Sequence, residues 1–463
     1  MKQINEERIN NLLADYSNAS SSRIDRIIDK SRSLERLKLE ESAILLGVQD
    51  SQTLNKIFSA ASFVKEQIYG KRVVLFAPLY INNFCSNNCV YCAFKSDNSL
   101  LKRKALNTAQ IKQQTELLLE RGHKRILMVA GESAPAGKSN IDYYSESIAS
   151  VYAADFKGNR IKRVNINCAP LTVAEFRKLK NSGIGTYQLF QETYHAKTYS
   201  QVHPSGPKCD PDNRIDAIDR AFVAGIDDIG IGALFGLYDY KFETLAMLSH
   251  IEYLEAKFKV GPHTISVPRV EPAIGSDFSQ TVPYQLSDSE FKKLVAVLRL
   301  SVPYTGIIMS TREPATLRDE LLSLGVSQIS AQSQTSPGGY SIDKNNKDYS
   351  AQFSISDQRS LDEVVLALIE RGFIPSFCAA CYRKERTGEA FMKLAKPGTI
   401  KGKCSLNALI TLREYISDFA SLQVKRSGEK LIEDLSKELD AEDKELLQNI
   451  FKRVENGVRD EFV

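Results

Sequence analysis

The stretch FCSNNCVYCAF, Phe84 to Phe94, follows a short apolar run, VVLFAP, Val73 to Pro78, and carries Cys85, Cys89 and Cys92 within eight positions. Three sulfurs cannot pair off into disulfides, and three is one short of a closed four-ligand metal site. A β-rich run leading directly into a loop of soft ligands reads as the first strand of a strand–loop–helix unit whose chemistry sits at the strand exit. The unit recurs down the chain. β-Rich runs at Arg125–Ala130, Arg163–Asn167, Thr186–Phe190, Asp228–Ala233, His263–Pro268, Thr305–Ser310 and Gln328–Ala331 alternate with longer segments of helical period. Examples of the latter are Thr108–Arg121, Thr172–Leu179, Asn213–Ala224 and the segment opened by Ser287 with Glu290 three residues on, a capping-box start. Eight such units predict a closed parallel (β/α)8 barrel of TIM type. A doubly wound open sheet, with fewer strands, is the competing architecture.

Residues 1–70 are polar with helical apolar spacing in RIDRIIDKSRSLERLKLEESAILLG and predict an N-terminal helical cap. The barrel then spans residues 71–372, and residues 373–463 form a smaller, mostly helical C-terminal extension that contains CAACYR and Cys404. GIGALFG, Gly230–Gly236, is not a dinucleotide fingerprint, because those glycines belong in a first strand-to-helix turn and here fall in the fifth unit. Small residues there instead let a strand approach something bulky inside the barrel.

With 61 basic against 57 acidic residues, a net charge of +4, the chain lacks the basic excess of a nucleic-acid binder, and Lys102, Arg103 and Lys104 read as a solvated loop. No apolar run of membrane-spanning length appears, and MKQINEERIN lacks the apolar core of a secretory signal, so no membrane partner and a cytoplasmic location are expected. In a reducing compartment the eight cysteines favour metal or catalysis over disulfides. Cys168 and Cys209 stand alone and read as a buried thiol and a loop thiol. Cys378, Cys381 and Cys404 form a second set of three, which alone would fit a zinc site or a redox pair.

In a barrel the loops after the strands build the active site. AGES (Ala130–Ser133), QETY (Gln191–Tyr194), PRVEP (Pro268–Pro272) and STRE (Ser310–Glu313) occupy such exits, together with the first cysteine loop. Closely spaced thiolates suit an iron–sulfur cluster, and a missing fourth ligand leaves one iron open to something that reacts. A structural zinc knuckle with a distant fourth ligand is the plainer alternative.

CSNNCVYC has the CX3CX2C pattern of the radical S-adenosylmethionine (SAM) superfamily, which this chain resembles, including the aromatic Tyr91 before the last cysteine. The resemblance implies a 4Fe–4S cluster on Cys85, Cys89 and Cys92, SAM as the missing ligand, and cleavage of SAM to a 5′-deoxyadenosyl radical. It implies Tyr91 against adenine and Glu132 of AGES at the SAM amino group, with Ala130 in place of the usual first glycine. Gln191, Glu192, Asn165 and Asn167 are candidates for ribose or methionyl contacts.

QETYHAKTY, GIGALFGLYD, HTISVPR, STRE and SPGGY further resemble the tyrosine lyase branch. That branch takes hydrogen from the amino group of L-tyrosine and splits Cα–Cβ to p-cresol and dehydroglycine. Ser310 and Arg312 of STRE are the catalytic candidates, Arg312 as partner of the substrate carboxylate unless it pairs with Glu313. With the tail cysteines added, the chain is similar to the FeFe-hydrogenase maturases of this branch. The likeness implies an auxiliary 4Fe–4S cluster on Cys378, Cys381 and Cys404 with an additional labile iron, L-cysteine as a possible ligand of that iron, and conversion of dehydroglycine to carbon monoxide and cyanide for an Fe(CO)(CN) synthon. His263, placed at the exit of the sixth strand, is the expected barrel-side ligand. Expected partners are L-tyrosine, an electron donor such as a ferredoxin or flavodoxin, and other hydrogenase maturases. Two readings stay open beside it: a 2-iminoacetate (dehydroglycine) synthase for thiamine thiazole, which does not need the tail cysteines, and a non-catalytic iron–sulfur carrier or scaffold.

Overall fold

The structure, a computed structural model, describes residues 1–15, 19–342 and 349–463. Four helices come first: α1 (Glu6–Asp15), α2 (Ser21–Arg32), α3 (Leu39–Gly47) and α4 (Ser51–Tyr69). Eight strands follow, β1 (Arg72–Asn82), β2 (Arg125–Ala130), β3 (Arg163–Asn167), β4 (Tyr187–Glu192), β5 (Ile229–Ala233), β6 (Thr264–Ser266), β7 (Gly306–Met309) and β8 (Gln328–Ser330). They pair in parallel in chain order, and β1 pairs with both β2 and β8, so the barrel closes and the open-sheet alternative is excluded.

Helices alternate with the strands: α5 (Thr108–Glu120), α6 (Asn140–Tyr152), α7 (Val173–Asn181), α8 (Ala196–Val202), α9 (Pro211–Val223), α10 (Tyr240–Phe258), α11 (Asp288–Ser301), α12 (Ala315–Leu324) and α13 (Leu361–Glu370). Several open on reciprocal caps, Asn107 with Gln110, Thr172 with Glu175 and Ser287 with Glu290. Each such cap contributes about 1 kcal/mol by satisfying backbone N–H groups that the helix cannot. The strands are buried on both faces, as parallel strands wrapped by helices must be, which is why they read as continuous apolar runs rather than alternating ones. In β5 a Cβ on Gly230 would stand 2.7 Å from the Gln188 side chain, and one on Gly232 would stand 2.9 Å from the Phe190 ring. Those glycines make room for bulky side chains of β4 inside the barrel, as the sequence implied.

The extension begins with an element that the sequence did not reveal. β9 (Ile374–Ser376) is a ninth strand, pairing in parallel with Arg72–Val74 at the lower end of β1, on the side where β2 pairs with Ala77–Asn82 higher up. Three residues are too few for any periodicity to stand out. The strand staples the extension into the barrel wall and delivers Cys378 to the barrel floor. Helices α14 (Ala380–Arg383), α15 (Gly388–Ala395), α16 (Ile400–Asp418), α17 (Leu422–Lys437) and α18 (Ala441–Glu455) complete it. Among the described residues no helix is long and apolar enough to cross a membrane.

Candidate active site and candidate metal centre

Cys85, Cys89 and Cys92 lie in the loop after β1 and line a cavity at the C-terminal mouth of the barrel, with about 1400 Å³ of empty space counted out to solvent. Arg103 holds the loop by donating to the carbonyls of Asn83 (2.7 Å) and Phe94 (2.8 Å), so this residue is a clamp and not part of a solvated basic stretch. Asn87 Nδ2 reaches Cys85 Sγ at 3.7 Å and Gln352 Nε2 reaches Cys92 Sγ at 3.6 Å, the kind of contact that tunes a thiolate-bound cluster. Burial pushes the Cys89 thiol up to about 12 and Cys92 to about 11, so these groups are inert as free nucleophiles and give up their protons only to a metal. Among the described residues no three His, Cys, Asp or Glu side chains close round one ion. Three thiols brought by one loop to one cavity fit a cubane, in which each cysteine would ligate a different iron.

Around the cysteines stands a chain of charges. Glu132 accepts from Arg214 (2.8 Å) and Asn87 (2.7 Å); Glu192 lies 2.7 Å from Lys208 Nζ and 3.7 Å from Arg214. Burial would raise the Glu132 carboxyl, but Arg214 and Lys208 hold it below its ordinary value. Lys208 also donates to the Tyr91 hydroxyl at 3.0 Å, and that hydroxyl lies 2.9 Å from His203 Nε2, so the ring faces the cavity with its polar tip already engaged. Glu192 has φ +71°, a conformation that costs on the order of 1–3 kcal/mol and persists where the surroundings impose it.

Part of that imposition comes from α10. Its Glu243, fully buried, accepts from the Tyr194 backbone N–H at 2.8 Å and from the Thr193 hydroxyl, and thereby clamps the loop after Glu192. Burial raises the Glu243 carboxyl to about 8. A folded value above the unfolded one means that stability is fully present at low pH and is lost as the pH rises from about 4.5 through about 8. Replacing Glu243 by Gln should flatten that decline, measured as Tm against pH by calorimetry on the apoprotein; an unchanged slope would contradict the assignment.

Ser310 and Arg312 line the same cavity. Glu313 is taken by Arg269, whose Nε lies 3.0 Å away, and Arg312 instead donates to the Arg269 carbonyl at 3.2 Å with its guanidinium 3.4 Å from the centre of the Phe353 ring. Among the described residues no carboxylate stands within ion-pair distance of Arg312, so the Arg312–Glu313 pairing is not made. Glu271 lines the cavity too, pushed up to about 7 by burial and by Glu313.

Two sequence candidates fall outside this cavity. Successive strand residues face opposite sides, so Gln191 and Glu192 cannot both point in; Gln191 turns outward and donates to the Pro211 carbonyl at 3.3 Å. Asn165 does point inward, but a layer below Asn167, where its oxygen accepts from Arg163 and from the Thr186 N–H (3.1 Å); Asn167 lines the mouth. Sequence reasoning missed Lys208, Arg214, Asn87 and Glu271. GPKCD offered one signal: a Cβ on Gly206 would meet the Ser86 carbonyl oxygen at 2.4 Å, which brings the Lys208 loop down onto the cysteine loop.

Cys378, Cys381 and Cys404 line a second cavity, of about 550 Å³, at the opposite end of the barrel. Arg72, Arg125 and Gln328, the first residues of β1, β2 and β8, form its ceiling with His263. The expected position of His263 is therefore corrected. It precedes β6 and sits at the floor, not at the strand exit by the mouth; HTISVPR marks the strand without saying which end carries the chemistry. It nevertheless shares a cavity with all three tail cysteines. Burial lowers the imidazole to about 4, which keeps it neutral and able to ligate a metal.

The two cavities nearly meet. Phe76, Leu127 and Ser330 line the mouth cavity, and Val74, Arg125 and Gln328, two residues earlier on the same strands, line the floor cavity. Residues two apart share a face and are separated by about 6.6 Å along a strand, so successive layers of side chains line the two cavities there.

Comparison with known proteins agrees with this geometry. The sequence model of the radical SAM superfamily matches residues 79–250, and that of the biotin and thiamin synthesis associated domain matches residues 266–374. The 2-iminoacetate synthase of Escherichia coli (strain K12) is 30% identical over 349 residues, covering 75% of this chain and 89% of that protein. A crystal structure of HydG, a maturase of the FeFe-hydrogenase, superposes with a TM-score of 0.96 at 46% identity over 100% of both chains. HydG from Carboxydothermus hydrogenoformans gives 0.84 at 42% identity, over 96% of this chain and 97% of the other.

Proposed function

The chain belongs to the radical SAM superfamily, and from that premise we propose that it is an L-tyrosine lyase of the hydrogenase-maturase kind. Membership brings a 4Fe–4S cluster and SAM with it. The observation that carries the reading further is the second cavity, with three cysteines and a neutral histidine one side-chain layer beneath the first. A synthase that releases dehydroglycine needs only the mouth; an enzyme that must capture carbon monoxide and cyanide needs a metal within reach of the point where dehydroglycine is made.

Bound at Cys85, Cys89 and Cys92, the cluster with SAM supplies the 5′-deoxyadenosyl radical that takes hydrogen from the tyrosine amino group. This chain's residues bind and orient. Glu132, Glu192 and Tyr91 serve the SAM side of the cavity, where Arg214 and Lys208 hold both carboxylates in place. Arg312, without an acidic partner among the described residues, receives the tyrosine carboxylate, and Ser310 flanks it. Dehydroglycine then passes inward to the floor, where Cys378, Cys381 and Cys404 would hold the auxiliary 4Fe–4S cluster, and His263 with L-cysteine would hold the labile iron. In this division residues 1–70 cap the barrel, 71–372 cleave tyrosine, and 373–463 complete the floor site that yields the Fe(CO)(CN) synthon. A ferredoxin or flavodoxin supplies electrons, and other maturases receive the product.

Anaerobic incubation with SAM, dithionite and tyrosine tests the reading. It expects p-cresol together with carbon monoxide that a haem protein can trap. p-Cresol without carbon monoxide from fully loaded protein would return the chain to 2-iminoacetate synthesis, and neither product from iron-loaded protein would favour a carrier. Arg312→Gln should lower kcat/KM for tyrosine roughly 10- to 150-fold, the cost of one or two lost charged hydrogen bonds, while SAM cleavage without tyrosine persists. Wild-type kcat/KM in that variant would remove Arg312 from the substrate site.

A further inference from the structure

Below the mouth, where the strands begin, a buried polar node joins barrel to extension. Asp228, just before β5, is 1% exposed, and four groups from different elements converge on its carboxylate. The Thr186 hydroxyl donates to Oδ1 at 2.7 Å, the Tyr382 hydroxyl donates to Oδ2, Arg163 Nη2 lies 3.5 Å from Oδ2, and His263 Nδ1 lies 3.3 Å from the same oxygen. Tyr382 directly follows Cys381, and the Arg163 guanidinium carbon lies 2.6 Å from the centre of its ring. Phe391, from α15, stacks on the His263 ring with centroids 4.3 Å apart.

An imidazole that ligates a metal through one nitrogen usually presents the other to a carboxylate, which fixes tautomer and ring orientation. His263 places Nδ1 3.3 Å from such a carboxylate, in contact though short of hydrogen-bond alignment, and it is the same carboxylate that anchors the residue beside Cys381. We propose that Asp228 is the positioning residue of the floor site: it turns Nδ1 of His263 toward itself, leaves Nε2 as the ligating atom, and through Tyr382 sets the Cys378–Cys381 loop at a fixed distance from that imidazole. The bland role for Asp228 is charge balance for Arg163 alone. The 3.5 Å separation from Arg163 against the close contacts with Thr186 and Tyr382, together with the histidine at 3.3 Å, shows that the carboxylate serves more than the arginine.

The inference rests on the reading that His263 ligates the labile iron, and the test separates the two. Anaerobically reconstituted full-length protein is examined for nitrogen hyperfine coupling at the labile iron and for the affinity of that iron in a chelator titration. Wild-type protein should show imidazole coupling that His263→Ala loses; if wild-type shows none, the ligand reading itself fails. Given that coupling, Asp228→Asn should alter it and weaken labile-iron binding by about 10- to 100-fold, the usual cost of losing a ligand's carboxylate partner, with both cubanes retained. An Asp228→Asn protein with unchanged coupling and affinity overturns the proposal and leaves Asp228 to balance Arg163. Tyr382→Phe keeps the buried carboxylate and its charge, and carries the test if Asp228→Asn does not fold. It should preserve the coupling but lower labile-iron affinity by roughly 3- to 10-fold as the cysteine loop loosens; wild-type affinity in that variant rejects the shared node.

Discussion

Replacing Cys85, Cys89 and Cys92 together by alanine should bring SAM cleavage and p-cresol formation down to background, a loss of at least about 10⁴-fold, because these three thiols are the ligands on which the radical-generating cluster depends. The same protein should keep its second cluster. If each cysteine set holds a four-iron cubane, iron content should fall from roughly eight or nine per chain to about four or five. The loop itself should survive, since Arg103 holds it through backbone carbonyls and Asn83 donates to the Lys102 carbonyl at 2.9 Å, bonds that do not involve the sulfurs. SAM cleavage by the triple variant would show that the radical chemistry has been placed at the wrong end of the barrel.

Replacing Cys378 and Cys381 by serine should have the complementary effect. Iron-bound carbon monoxide, read by infrared spectroscopy, should disappear, while p-cresol formation stays within about threefold of wild type. Sites that share no partners and stand more than about 10 Å apart respond almost independently. Val74 at the floor and Tyr80 at the mouth are six residues apart on β1, about 20 Å along the strand. Full carbonyl–iron bands from the double variant would remove the floor site from synthon assembly. Loss of p-cresol as well would mean that the extension, stapled through β9, supports the mouth mechanically.

How far the molecule was legible in its sequence depends on the range over which each signal acts. Strand and helix periods are local, and so are capping boxes, so the eight repeating units and the helix starting at Asp288 behind Ser287 could be read directly. Spacing within one loop is local too: Cys85, Cys89 and Cys92 declare a cluster because three thiols on one loop can reach neighbouring irons of one cubane. Alternation along a strand was equally available and would have kept only one of Gln191 and Glu192, while the structure decided that Glu192 is the one facing in.

Tertiary structure alone decided the rest, because a side chain's neighbours across a barrel come from positions far apart in sequence. Nothing local pairs Glu132, after β2, with Arg214 of α9, which follows β4, and Glu192 at the end of β4 meets Lys208 only because the chain leaving that strand folds back over the mouth. Nor can a sequence say at which end of a short strand a residue lies when the strand is three residues long. His263 stands one position before β6, and that single position sends it to the floor. The three-residue β9, invisible to periodicity, is what carries Cys378 and Cys381 there as well. The sequence thus determined which chemistry the chain contains, through ligand types held at short spacing. The closed barrel decided where that chemistry meets, because only closure brings the starts of β1, β2, β6 and β8 round one cavity with the cysteines of a segment more than a hundred residues downstream of His263.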